Sequence, residues 1–389
     1  MNRLRQIWDK VFISASGDLQ LLEEYELSNR QILDVYISKE KNKVTVKCGS
    51  KIFLFSIESE VEVNIFQADF AVWLCLPLAM SEGKNLLVHG QGTKTTKKNA
   101  EKLTDIWSSW LPKQYSMVNV DFDEYREESK DKNTARALMC FSGGVDSTYS
   151  FITHDFSGLK PDLLTIQGMD YSINDSVRFS EAIKQTNILI QNRSRYRLFV
   201  QSNAYDIYKQ YKIGGQLSHV FLLTAVGFMF SQSYKSMLLS ADHSCYQQFE
   251  VFPAGSTFAS NQFFNSGEFA LETHGEDVTR AEKLAIISDD PSALLSLSFC
   301  KNRKIRPKNC GICSKCLRTK YMFMASIGEI PAQTFLDASV PSFKSLRFSV
   351  HDNLSHSYIK DTFKVAFRND NLDKIPDVIR AYKKIQKES

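Results

Sequence analysis

Residues 135–148 read ARALMCFSGGVDST: an apolar run, then serine, two glycines and an acid, then a second run with helical character. The physics of this stretch is direct. Gly143 and Gly144 lack a Cβ, so backbone N–H groups can turn toward a ligand at close approach. The helix opening near Ser147 aims its unpaired N–H groups and its dipole at the same place, which makes an anion site. Ser142, Ser147 and Thr148 add hydroxyl donors, and Val145 starts the apolar side of the helix. Asp146 is out of place beside phosphates unless it holds Mg²⁺ or orients the loop. The Gly-x4-Gly-Lys-Ser/Thr spacing of the Walker loop is absent. A plain Gly-Gly turn capped by Asp and Ser is the bland alternative, and the apolar strand before the loop weighs against it.

Strand and helix patterns alternate after the loop: strand 163–167, helix 176–191, strand 198–201, helix 216–235, strand 236–240. Such alternation implies a parallel sheet with helices on both faces. The right-handed crossover rule makes it a doubly wound α/β domain over residues 129–260. Ligands gather at the carboxyl ends of strands in such sheets. Gly168, Met169 and Asp170 follow one strand; Asp242 and His243 follow another. Asp242 is a candidate for Mg²⁺ and His243 for substrate. Gly255 to Thr257 could close over the substrate, and His274 is a weaker acid–base candidate.

The segment before the loop has a different pattern. Residues 1–128 read as an N-terminal α+β unit with strands at 32–38, 44–46, 52–57, 61–65 and 85–88 and helices at 68–80 and 96–110. Residues 124–133 are charged and read as a linker. The whole chain has 389 residues, 43% of them hydrophobic, and a net charge of +4, which is too small to argue for nucleic acid. No apolar run approaches the roughly 20 residues that span a bilayer. The N-terminal MNRLRQIWDK does not read as a signal peptide. A cytoplasmic protein is the expectation.

Four of the eight cysteines crowd together as Cys300, Cys310, Cys313 and Cys316, in the spacing C-x9-C-x2-C-x2-C. Thiolates so spaced can converge on one tetrahedral zinc ion. A redox or persulfide-carrying Cys-x-x-Cys is the rival, and would need an accessible thiolate. Lys301, Arg303, Lys304, Arg306, Lys308, Lys315, Arg318 and Lys320 surround the cluster. They either offset the charge of a four-thiolate centre or bind polyphosphate, RNA or an acidic protein surface. Residues 261–325 thus form a loop-rich zinc region, and 326–389 a helical region ending in an amphipathic helix at 375–386.

The loop SGGVDS resembles that of the PP-loop ATP pyrophosphatase superfamily. The resemblance narrows with Thr279-Arg280-Ala281-Glu282, Ser298-Phe299-Cys300 and Cys310 to Cys316, which look like the C-terminal part of 7-cyano-7-deazaguanine synthase. The likeness spans about residues 135–325 and leaves the first 130 residues without a counterpart. The whole resembles a set of longer bacterial relatives, some of which sit in anti-phage operons. That family has Lys where Arg280 stands here; Lys283 is close by, and Arg holds phosphate by a planar fork rather than a point charge.

The resemblance implies MgATP on Ser142 to Ser147, the base near Gly168 and Met169, and Arg280 and Lys283 on the leaving pyrophosphate. A carboxylate, with 7-carboxy-7-deazaguanine as the candidate, would be adenylylated and joined to ammonia or to an amine, a protein amine included. The N-terminal unit would meet that protein partner, and a homodimer is compatible with the sequence. Two alternatives stand beside this reading: an RNA-thiolating enzyme, and a non-catalytic nucleotide-binding component of a defence complex.

Overall fold

Alternate residues of one short strand, Ala137–Cys140, belong to two different cores. Leu138 and Cys140 join one and Met139 the other. That split organises the molecule. The computed structural model describes residues 27, 30–63, 65, 67–129, 136–341 and 353–388. Residues 1–26 of the N-terminal unit, 130–133 of the linker, the expected strand start at Ala135, and 342–352 of the C-terminal region lie outside the described residues.

Among the described residues, ten strands form one sheet: β1 (Ile32–Glu40), β2 (Lys43–Cys48), β3 (Lys51–Glu58), β4 (Asn85–Gly92), β5 (Val120–Tyr125), β6 (Ala137–Cys140), β7 (Asp162–Gln167), β8 (Arg197–Ser202), β9 (Ser236–Ser240) and β10 (Ala270–His274). Their order is β10-β9-β6-β7-β8-β3-β2-β1-β4-β5. The block β10-β9-β6-β7-β8 is wholly parallel, with β6 in the middle and later strands added to both sides. This is a doubly wound arrangement, compatible with a Rossmann-like fold.

The N-terminal strands continue this sheet. β3 runs antiparallel to β8, with Phe55 opposite Ser202 and Ile57 opposite Val200. β1, β2 and β3 form an antiparallel meander, while β4 and β5 add in parallel beyond β1. Phe53, Phe55 and Ile57 share a core with Leu198 and Val200, so the unit read as 1–128 is welded to its neighbour through both the hydrogen-bond ladder and the packing.

Two helices, α1 (Asp69–Glu82) and α2 (Lys94–Trp110), cover the N-terminal strands on the first face. α1 is buried nearly all round, from Phe70 to Met80, as a helix between a sheet and other helices must be. α3 (Val145–Thr153) and α4 (Ser176–Ile190) lie on the second face. α5 (Ala204–Gln210) and α6 (Gly215–Phe228) return to the first. Two short helices, α7 (Cys245–Glu250) and α8 (Phe258–Asn261), follow β9. The second face is then completed by α9 (Arg280–Ser288), α10 (Pro291–Ser296), α11 (Ser314–Ile327), α12 (Asn353–Arg368) and α13 (Pro376–Glu388).

Several expected elements differ. Residues 61–65 are not a strand among the described residues: Ser59 Oγ donates to Val61 O and accepts from Val61 N, both at 2.9 Å, and Lys39 Nζ donates to Val63 O. Side chains thus take backbone groups that a ladder would need. The start of the expected linker is the end of β5, an edge strand whose charged sequence VDFDEY suits its exposure. The helix expected over 216–235 ends at Phe228, where turns take over. The loop-rich 265–320 stretch contains β10, whose burial pattern carries a single fully buried residue, Leu271.

Candidate functional site

β6 delivers the chain to the glycine loop and α3 carries it away. Gly143 has φ +75°, and a Cβ there would lie 2.4 Å from Thr186 Cγ2, so any side chain at position 143 would be strained. The loop is braced from within: Ser147 Oγ donates to Gly144 O at 3.2 Å and accepts from Ser142 N at 3.3 Å, and Gly144 N donates to Ser142 Oγ at 3.3 Å. It is braced from outside by Ser298 N, which donates to Gly143 O at 2.8 Å.

A cavity of about 840 Å³ opens at the carboxyl ends of β6, β7 and β9, where the strand order turns outward in both directions. That is the expected ligand position in an open α/β sheet, and the volume lies within the range of small-molecule sites. Leu164, Ile166, Met169 and Leu223 supply apolar wall. Lys301, Arg303, Lys315 and Arg318 supply positive wall, so this part of the basic run faces the cavity rather than the surface alone. Burial holds the Lys315 ammonium below its ordinary value.

The loop acid meets two cations. Asp146 is paired with Arg280, whose Nη2 donates to Oδ2 and whose Nε donates to Oδ1 at 3.3 Å; Lys283 Nζ donates to Oδ1 at 3.3 Å. Burial would push the Asp146 carboxyl up, but Arg280 and Lys283 outweigh it and hold it below the usual carboxylate range. A capping box sets the geometry: Thr279 Oγ1 accepts from Glu282 N, and the Glu282 carboxylate reaches back to Thr279 N. This starts α9 so that Arg280 and Lys283, three apart, share one face. Lys283 Nζ also donates to Ala241 O at 2.6 Å, and Arg280 Nη1 to the Tyr358 hydroxyl at 2.9 Å.

Asp242 sits between two bases, with Oδ2 3.6 Å from His219 Nε2 and Oδ1 4.0 Å from Arg280 Nη2. Burial pushes the neighbouring His243 down to about 4, so it is neutral near pH 7. Arg197 also lines the cavity; burial lowers it to about 10, and it donates to Thr165 Oγ1, Thr186 Oγ1 and Asn187 Oδ1.

The four clustered cysteines converge as a metal centre requires. Their sulfurs all lie within 4.8 Å of one another. Cys300 Sγ and Cys313 Sγ are 3.8 Å apart, and Cys310 Sγ and Cys316 Sγ 3.9 Å. Thiolates bound at ~2.3 Å to a tetrahedral ion would stand about 3.8 Å apart. Ile312 N and Cys313 N both point at Cys310 Sγ, at 3.4 and 3.3 Å, as donors to a thiolate do. Gly311 makes the tight knuckle with φ +80°, where a Cβ would fall 1.9 Å from Asp337 O. The group can hold a metal ion. It is tied to the cavity: Arg306 Nε donates to Cys300 O at 2.5 Å, and its Nη1 pairs with Asp170 Oδ1 at 2.7 Å. Burial would raise the Asp170 carboxyl, but Arg306 outweighs it and holds it low.

Of the residues read as nucleotide-binding, Ser142, Gly144, Asp146, Ser147 and Met169 line the cavity. Val145 and Thr148 are buried under the loop, Gly143 turns its carbonyl to Ser298, and Gly168 donates its N–H to Tyr171 O at 2.8 Å. Asp242, His243 and Arg280 line the cavity, with Gly255 and Ser256, while Lys283 stands behind Asp146. His274 lies elsewhere, 3.1 Å from Ser150 Oγ. Sequence reasoning missed His219, Arg197 and Tyr358. His219 and Arg197 sit in helix and strand patterns that carry no motif. No helix among the described residues is long and apolar enough to cross a membrane. Comparison with family models, curated proteins and solved structures yields no match for the chain.

Proposed function

We propose that the chain is an ATP-dependent ligase similar to 7-cyano-7-deazaguanine synthase. It would adenylylate a carboxylate, release pyrophosphate, and pass the acyl group to ammonia or an amine. One observation carries this reading: a glycine-rich loop at the switch point of the sheet, its acid gripping Arg280 and Lys283, beside a cavity walled by further cations. MgATP is the substrate. Its terminal phosphates lie on Ser142 to Ser147 and the N-terminus of α3, and its base lies toward Met169 and the apolar wall. A carboxylate oxygen attacks the α-phosphorus, and the bond to the pyrophosphate oxygen breaks. The charge growing on pyrophosphate is met by loop N–H groups and by Arg280, which Asp146 and Tyr358 hold in place beforehand. Lys301, Arg303, Lys315 and Arg318 exceed what three phosphates need and suit an acidic second substrate. The Cys300, Cys310, Cys313 and Cys316 centre holds zinc and keeps Ser298 and Arg306 where the loop and cavity need them.

Sulfur transfer to RNA fits less well. Four cysteines are committed to one another, and burial pushes the Cys140 thiol, which lines the cavity, up to about 12. A thiol so held is a poor nucleophile. A role in anti-phage defence, with a protein amine as acceptor, follows from the resemblance alone.

The test is to incubate the protein with MgATP, labelled pyrophosphate and 7-carboxy-7-deazaguanine, then add ammonia and weigh the product. Acid-dependent exchange of label into ATP is expected, and Arg280→Ala should slow it on the order of 100- to 1,000-fold. Absence of both exchange and MgATP binding by calorimetry would overturn the reading.

A further inference from the structure

Arg197, which no motif marks, lines the cavity together with Ser142 and Gly144 of the glycine loop. No carboxylate among the described residues meets its charge. We propose that the counter-ion of Arg197 is the phosphate chain of the bound nucleotide, so that this guanidinium and the loop N–H groups hold the same anion. This rests on the part of the ligase reading that puts MgATP on the loop, and adds to it a binding residue from a strand outside the loop.

Two threonines set the guanidinium against the loop. Thr165 Oγ1 accepts from Arg197 Nε at 3.0 Å and donates at 2.9 Å to the carbonyl of Phe141, the residue before Ser142. Thr186 Oγ1 accepts from Nη1 at 2.9 Å, and its Cγ2 is the atom that a Cβ at Gly143 would strike. Asn187 Oδ1 accepts a second bond from Nη1, at 3.1 Å. These bonds fix Nε and Nη1 on neutral acceptors. Among the described residues no protein atom accepts from Nη2, so one edge of the fork is left over.

The charge is just as unmatched. Phe141 and Phe199 flank the guanidinium, with ring centres 5.6 and 5.3 Å from Cζ. Ring faces attract a cation more weakly than a carboxylate does. Burial pulls the guanidinium down to about 10, and no acid raises it again, yet it stays charged at pH 7. Arg280 and Arg306 differ: they reach Asp146 and Asp170. A charge taken out of water without a partner destabilises the fold that holds it. An anion arriving in the cavity removes that cost, so Arg197 contributes to binding and not to the empty protein.

The phosphate chain fits this role better than the acid to be activated. It is the anion that the loop is built to hold, and Arg197 touches the loop through both threonines. Lys301, Arg303 and Lys315 reach the cavity from the cysteine region instead, and they remain for an acidic second substrate.

The experiment compares wild type with Arg197→Met and Arg197→Lys. Methionine fits between the two rings without a charge. In R197M the Thr165 and Thr186 hydroxyls keep bonds of their own, to Phe141 O and Ala182 O. Calorimetry reads binding of MgATP and, separately, of 7-carboxy-7-deazaguanine; thermal unfolding without ligand reads stability. R197M is expected to weaken MgATP binding on the order of 10- to 100-fold, to spare the acid, and to keep or raise Tm. R197K keeps the charge without the fork and should bind MgATP more tightly than R197M. Four outcomes would each refute the role of Arg197 and leave the ligase reading standing: a loss of MgATP affinity below ~10-fold, R197K no better than R197M, a loss that falls on the acid instead, or a Tm of ligand-free R197M lower by more than ~3 °C. A wild-type protein that binds no MgATP would take down both.

Discussion

The sheet carries two cores, and they are built differently. The first face is continuous: Val35, Val46, Phe53 and Phe55 of the N-terminal strands pack in one cluster with Leu198, Leu138 and Met237 under α1, α2 and α6. Among the described residues, the second face is packed only over β6, β7 and β9, where Met139, Leu163 and Leu238 meet α3, α4, the cysteine cluster and the C-terminal helices. Over the N-terminal strands the same face leaves Ile32, Tyr36, Ile52 and Leu54 about half exposed, at 56, 51, 50 and 51%. The difference separates duties. Long alternating strands and apolar helices give the first face its stability. The second face takes in the cysteine cluster and carries Arg280, Lys283 and the cationic wall of the cavity.

The largest expected effect comes from breaking the cysteine centre. Structural zinc contributes on the order of 10 kcal/mol in small modules, so losing one of four thiolates should unmake the local structure. Cys310→Ser should lose the bound metal. Hydrogen exchange should then speed up at residues 142–147 and 298–316, which the bond from Ser298 N to Gly143 O joins. Residues 32–58 on the first core should stay protected. Loss of protection in both regions would mean that the two cores melt as one unit, and no loss in either would mean that the cluster supports nothing.

A smaller effect separates the cores by pH. The second core holds two groups of opposite sign: His243, pushed down to about 4, and Asp361 of α12, pushed up to about 7 by burial. Below about 6.5 the unfolded chain protonates His243 while the folded chain does not, so lowering the pH favours unfolding. Asp361 works the other way. Folded, it keeps a proton that the unfolded chain gives up above about 4, so lowering the pH favours folding. The two offset each other between pH 4.5 and 6.5. Asp361→Asn keeps the neutral shape and removes one of them. Between pH 6.5 and pH 4.5, urea unfolding of D361N should lose about 2 kcal/mol more stability than wild type loses. Equal profiles in the two proteins would show that Asp361 is not held protonated in the folded chain.

How much of this the sequence disclosed depended on distance along the chain. The glycine loop is legible because strand, glycines, hydroxyls and helix follow within a dozen residues. The cysteines are legible because three sit at a two-residue spacing, and the helix start at Thr279 because its capping partner is three residues on. What was not legible is pairing between remote segments. Nothing local tells that β3 will lie against β8, or that His219 on a helix will face Asp242 at a strand end. β5 and β10 went unread because each buries too few residues for alternation to show.

The smallest effect tests the open part of the second face. Along β3, Phe53 and Phe55 point into the first core, and Leu54 between them points to the other side. Its backbone N–H donates to Asn203 Oδ1 at 2.8 Å, a bond that a new side chain does not remove. With its side chain half in water, Leu54→Lys should change stability by no more than about 0.5 kcal/mol and leave pyrophosphate exchange as it was. Leu54 does not line the cavity. Urea unfolding of the full chain reads the outcome. A loss above about 1 kcal/mol would mean that Leu54 is covered in the native protein, and the contrast between one complete face and one half-built face would have to be withdrawn.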